Sequence, residues 1–238
     1  MSGARARLIA ALDLPDRRSA LAMADRLAGH VGVFKVGLEL FVAEGPAFVA
    51  EIQGRGCPVF LDLKLHDIPN TVAAAVRSAA CLGVGMLTVH AAGGRAMLEA
   101  AREAAAAAKA PPLILGVTAL TSLAALDLEA VGVSGTVGWW VERLAALAVE
   151  AGLEGLVSSS HEVRELRRAH PGLALVVPGI RPDGAAPGDQ RRAATPGEAM
   201  SAGASYLVVG RPLLTAPDPA AAADAIVAAM SEASKSLK

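Results

Sequence analysis

Residues 60–71, FLDLKLHDIPNT, set three ionisable side chains, Asp62, Lys64 and Asp67, in or beside an apolar run. In a strand, residues two apart share a face, so Asp62, Lys64 and His66 are expected on one side and Leu61, Leu63 and Leu65 on the other. Asp67 falls where the strand should end, and Pro69 keeps the chain from continuing as an ordinary ladder. A buried carboxylate or ammonium is costly unless paired, and alternating Asp and Lys pair and stay ionised together. Such an array is either a structural salt bridge at a strand end or a set of working charges in a cleft. Lysine usage bears on the choice. The chain has five lysines, Lys35, Lys64, Lys109, Lys235 and Lys238, and Lys35 and Lys64 lie inside apolar strands. A lysine can give up a proton when its environment is tuned, which an arginine effectively cannot.

Other polar residues lie in or just after apolar runs: Asp13, Lys35 within its run, the pair Thr121-Ser122, Arg181 and Arg211. Taken singly, an Asp in this place is a helix cap and an Arg a solvated loop charge. Gly179-Ile180-Arg181 and Gly210-Arg211 offer close backbone approach and two guanidiniums, which suits a phosphate. The segment between them carries Asp183, Asp189, Gln190, Arg191 and Arg192, and its length suggests a lid from which Gln190 reaches the ligand. No histidine pair has metal-ligand spacing. A magnesium ion held by Asp62 and Asp67 is the metal reading that remains. No G-x-S-x-G elbow is present.

Eight short apolar runs must position these groups: residues 7–14, 33–38, 58–65, 86–91, 113–120, 155–159, 173–180 and 206–210. Helical patterns follow at 16–30, 39–55 (interrupted near Gly45-Pro46), 69–83, 95–109, 136–152, 161–170, 196–203 and 219–233, with 181–196 as a long loop. Continuous apolar strands alternating with helices imply a parallel sheet covered on both faces. The expected fold is α/β, a TIM (β/α)8 barrel in a single domain over residues 1–238, with 234–238 a frayed tail. The C-terminal strand ends of such a barrel open on one face, so residues from six strands would converge there. A doubly wound open sheet is the alternative, but its dinucleotide form needs G-x-G-x-x-G after the first strand, and neither that motif nor a Walker A loop occurs.

Composition narrows the class. Hydrophobic residues make up 53% of the 238 and can build a core, much of it alanine. Aromatics are 3%, which argues against a stacking platform for single-stranded nucleic acid. A net charge of −1 provides no global field for nucleic acid or anionic lipid, so any anion site is local. Cys57 and Cys81 match no metal spacing and read as buried free thiols in a reducing compartment. The apolar run near the N-terminus is cut by Asp13 and Pro15, too short for a membrane span, and a cytoplasmic location is expected.

These motifs, in this order, resemble the orotidine 5'-phosphate decarboxylase family: ALDL, FKVGLELF, DLKLHDIPNT, HAAGGRAML, GVTALTS, PGIRP and LVVGRPLL. The D-x-K-x-x-D-I-P-N-T string is the most specific of them. The resemblance implies conversion of orotidine 5'-monophosphate to UMP and CO2 by a TIM-barrel homodimer with no cofactor and no metal. By motif match it implies Lys64 as proton donor to C6, Asp62 beside the substrate carboxylate, and Lys35 paired with Asp62 and touching the ribose. Asp67 would come from the neighbouring subunit, with Ile68 and Thr71 of the same string at the substrate. Asp13 matches a ribose-binding position and Thr121 and Ser122 the pair at the pyrimidine. Arg181, Gln190, Gly210 and Arg211 match the phosphate and loop-closure positions. Residues 157–160, VSSS, and Ala91-Ala92 depart from the common pattern without touching a catalytic position. Sister enzymes acting on keto-sugar and hexulose phosphates share the D-x-K-x-x-D string but use magnesium and tend to carry an acidic residue at the place of Lys35.

Overall fold

The computed structural model describes residues 3–182 and 194–235. After a 3-10 turn at Arg5–Arg7 come β1 (Leu8–Ala11), α1 (Arg17–Leu27), β2 (Val33–Gly37), α2 (Leu38–Gln53), β3 (Val59–Leu65) and α3 (Pro69–Cys81). The middle of the chain forms β4 (Met86–His90), a 3-10 turn at Ala91–Gly93, α4 (Arg95–Ala106), β5 (Leu113–Val117), α5 (Ala125–Ala130) and α6 (Val137–Glu150). It ends in β6 (Gly155–Val157), α7 (Val163–Ala169), β7 (Ala174–Val177), α8 (Pro196–Ser201), β8 (Tyr206–Val209), α9 (Arg211–Leu214) and α10 (Pro219–Lys235). Among the described residues the eight strands close into one parallel barrel in sequence order, β8 pairing back onto β1 through Leu8↔Leu207 and Ala10↔Val209.

Local chemistry explains where the helices begin. Asp16 caps α1 by accepting from Ser19 N at 2.9 Å. Pro69 occupies the first turn of α3, where no intrahelical N–H is needed. Thr195 and Glu198 form a reciprocal capping box at α8. Helix α2 kinks at Gly45, next to Pro46, as the interrupted pattern suggests.

Strand alternation divides the core in two. Ile9, Ala11, Val33, Phe60, Met86, Leu115, Val176 and Val208 fill the barrel interior. Leu8, Phe34, Leu61, Leu87, Ile114, Leu175 and Leu207 point outward against the helices, with Met97, Ala101 and Ala105 of α4 among their partners. Alanine lets that helical layer lie close. The apolar runs are longer than the strands they contain. Leu12 N, just past β1, still donates to Lys35 O at 3.0 Å, and both Leu12 and Ala119 stay buried beyond their strands.

Several expectations are corrected. Helix α10 runs through Lys235, so residues 234 and 235 of the expected tail are helical, and residues 236–238 fall outside the described residues. Cys57 is buried but Cys81 is exposed, on the outer face of α3. Helices α5 and α9 have no counterpart in the sequence reading, being too short to show periodicity. His66 does not share the working face with Asp62 and Lys64: the strand ends at Leu65, and the His66 ring stacks on His90 at 5.2 Å.

Candidate active site

A cavity of about 550 Å³ opens among the C-terminal ends of the strands. It is lined by Asp13, Lys35, Phe60, Asp62, Lys64, Thr121, Ser158, Gly179, Arg181, Gly210 and Arg211, among others. That volume suits a small ligand such as a nucleotide. Its floor is the inward layer of Phe60, Val117, Val157 and Val208.

One wall is a row of alternating charges. Lys35 Nζ lies 2.8 Å from Asp13 Oδ1 and 3.7 Å from Asp62 Oδ2. Lys64 Nζ donates to both Asp62 oxygens at 2.9 Å. Parallel register sets this row, because Ala11 pairs with Lys35 on β2, and Gly37 pairs with Asp62 on β3. Gly37 lets the row pack closely: a Cβ there would sit 3.0 Å from Lys35 Nζ and 3.1 Å from Asp13 Oδ1 and would press on both side chains. Burial works against the Asp62 charge, but Lys35, Lys64 and hydrogen bonds from Lys64 and Thr88 outweigh it and hold the carboxyl below its ordinary range. Lys35 is 7% exposed, while the Lys64 side chain keeps 38% of its surface open toward the cavity.

Lys64 has φ +50°, the one positive value at a non-glycine among the described residues. It coincides with a register shift between β3 and β4, where pairing jumps from Leu61↔Leu87 to Leu65↔Val89. Thr88 on β4 fills the gap: its hydroxyl donates to Asp62 Oδ1 at 2.9 Å and accepts from Lys64 N at 2.8 Å. Sequence reasoning missed Thr88. Its only signal is a hydroxyl inside the apolar run MLTVHA, and hydroxyls in strands are common.

The opposite wall belongs to strands β7 and β8. Arg181 is 9% exposed and donates to Ile180 O at 2.9 Å. Burial, and then the neighbouring Arg211 charge, lower its pKa from the ordinary value. Two adjacent guanidiniums repel, and an anion bound between them would remove that cost. Gly179 and Gly210 line the cavity beside them.

The remaining candidates lie elsewhere. Asp67, Ile68 and Thr71 are exposed and outside the cavity of the single chain, with Asp67 accepting from Ile68 N. Ser122 is exposed just beyond the lining residue Thr121. Gln190 and its neighbours Asp183, Asp189, Arg191 and Arg192 fall outside the described residues. Among the described residues no group of three His, Cys, Asp or Glu side chains could hold a metal ion. Both Asp62 oxygens are already engaged by cationic or hydroxyl donors.

The family model for orotidine 5'-phosphate decarboxylase / HUMPS matches residues 6–226. The chain belongs to this family. Within it, the chain is 54% identical to the orotidine 5'-phosphate decarboxylase of Moorella thermoacetica, over 94% of this chain and 92% of that one. It is 57% identical to the enzyme of the same name from Anaeromyxobacter sp., over 94% and 98%. The crystal structure of the family member from Lactobacillus acidophilus superposes with a TM-score of 0.84 at 35% identity, covering 94% of this chain and 98% of that one. The barrel and its single-chain architecture are thus those of the orotidine 5'-phosphate decarboxylase / HUMPS family.

Proposed function

We infer that this protein is an orotidine 5'-phosphate decarboxylase, a carboxy-lyase that converts orotidine 5'-monophosphate to UMP and CO2 in pyrimidine nucleotide synthesis. The observation that carries the reading is the unbroken row Asp13–Lys35–Asp62–Lys64, facing two arginines across one cavity. The family also includes sugar-phosphate enzymes, and the names and identities of the relatives favour the nucleotide reaction.

The chemistry suits these residues. When the C6–carboxylate bond breaks, the electron pair stays on C6, where no neighbouring carbonyl or iminium can take it up. The site must then supply electrostatic stabilisation. In this reading the Lys64 ammonium stabilises the pair, gives C6 its proton, and is reprotonated from water. Asp62 holds Lys64 and stands beside the departing carboxylate. Lys35 and Asp13 take the ribose, Thr121 and Ser122 the pyrimidine, and Arg181, Gly210 and Arg211 the phosphate, with Gln190 assigned to the phosphate side by motif match. Phosphate binding far from C6 can be used to orient the ring. No metal or cofactor has a part in this scheme.

We further assign the active form as a homodimer in which Asp67, with Ile68 and Thr71, enters the partner's cavity. This is supported by the exposure of Asp67 just past the end of β3 and by uncovered apolar side chains, Ile68 beside it at 67% exposure and Leu38 and Val42 of α2 at 59% and 75%. A cytoplasmic location fits the exposed thiol of Cys81. No helix among the described residues is long and apolar enough to cross a membrane.

The test is the loss of orotidine 5'-monophosphate absorbance in excess EDTA. Wild type should turn over unimpaired, and Lys64→Ala should lose at least about 10³-fold in kcat. No turnover by wild type, with activity on a keto-sugar phosphate once magnesium is restored, would overturn the reading.

A further inference from the structure

We propose that Thr88 is a positioning residue for the decarboxylation, its hydroxyl pinning the Lys64 backbone and the Asp62 carboxylate in the one arrangement that presents the Lys64 ammonium to the cavity. The proposal rests on the decarboxylase reading above and deepens it.

The register shift is the starting point. Between the pairs Leu61↔Leu87 and Leu65↔Val89, the residues Asp62, Leu63 and Lys64 all stand opposite the single residue Thr88. A regular ladder cannot serve such a bulge, so the Lys64 N–H needs another acceptor. Thr88 Oγ1 is that acceptor at 2.8 Å. An ionised carboxylate only accepts, so the same hydroxyl must spend its proton on Asp62 Oδ1, at 2.9 Å. One side chain therefore ties both reacting-centre residues to β4.

Two further features make the tie functional rather than merely cohesive. Lys64 is held at φ +50°, a conformation that L residues leave when nothing constrains them. Relaxation of that backbone would swing the ammonium away from its place. Thr88 itself is fully buried, so water cannot take over its two bonds. The arginines that would grip the phosphate come from the segments after β7 and β8, across the cavity, whereas the Thr88 hydroxyl bonds to Asp62 and Lys64. Loss of the hydroxyl should thus harm the chemical step more than binding.

The experiment compares Thr88→Val, which keeps the shape and loses both bonds, with Thr88→Ser, which keeps the hydroxyl and loses a methyl. Steady-state kinetics on orotidine 5'-monophosphate are read beside hydrogen exchange at the Lys64 amide. Thr88→Val should lower kcat by at least about thirtyfold with KM changed less than about threefold, and Thr88→Ser should restore kcat to within about threefold of wild type. The Lys64 amide should lose protection in the valine variant and keep it in the serine variant. A valine variant as fast as wild type, a serine variant as slow as valine, or a Lys64 amide still protected in valine would each overturn the proposal. If Thr88→Val does not fold, Thr88→Ala against Thr88→Ser makes the same comparison. A wild type inert toward this substrate would instead bring down the decarboxylase reading, and the amide protection would still decide whether Thr88 holds Lys64.

Discussion

Asp62 is the residue on which the charge row turns. It receives Lys64 at 2.9 Å and Thr88 at 2.9 Å and lies 3.7 Å from Lys35. Its folded pKa is depressed below 3.8: burial opposes the charge, and Lys35 and Lys64 overcome that opposition. In the unfolded chain an Asp carboxyl titrates at about pH 3.9. The stability Asp62 contributes is therefore complete above about pH 4 and is lost as the pH falls through the lower folded value. Acid unfolding followed by circular dichroism should show this limb in wild type and a flatter one in Asp62→Asn. At pH 7 the same variant should be about 1–3 kcal/mol less stable, because two lysines lose a charged partner. Equal stability at pH 7 with an unchanged acid limb would show that the pairing contributes nothing.

At the level of elements, the barrel keeps function and cohesion at opposite ends. The C-terminal strand ends carry the cavity, while the N-terminal ends are closed by tight backbone contacts and arginines. Arg7 donates to Ser205 O at 2.7 Å, and Arg167 donates to Gly203 O, Pro171 O and Leu173 O. Gly32 leads into β2 against the Arg5–Arg7 turn, and a Cβ there would lie 2.6 Å from backbone atoms of Ala6. Backbone cannot yield as a side-chain tip can, so Gly32→Ala should cost about 1–3 kcal/mol. Thermal melting should fall, while kcat well below the melting temperature should stay within about twofold of wild type, since bottom-face residues do not touch the cavity. A large kcat loss at unchanged melting temperature would contradict this division.

For the whole molecule, the proposed shared site makes a prediction that a self-contained barrel does not. Lys64→Ala and Asp67→Ala should each be nearly inactive alone. Unfolded together and refolded as a mixture, they should recover about a quarter of wild-type activity, because half the dimers are mixed and each mixed dimer has one intact site. No recovery, with mixed dimers demonstrated by mass spectrometry, would place Asp67 in the site of its own chain or outside the site altogether.

Much of this was legible before any coordinates. Continuous apolar runs alternating with helical periodicity determine a covered parallel sheet, because each pattern records which face of an element must be buried. The same patterns make Asp13, Lys35, Asp62, Lys64 and Arg181 conspicuous, each a charge within or just past an apolar strand. What periodicity does not encode is register between strands distant in sequence. The bulge opposite Thr88, the positive φ of Lys64 and the departure of His66 to stack on His90 all follow from how β3 slides against β4. Alternation alone would leave His66 beside Lys64 and Thr88 an ordinary strand threonine. Only the closed barrel, by fixing that register, decides which side chains share the cavity and which of them are held there.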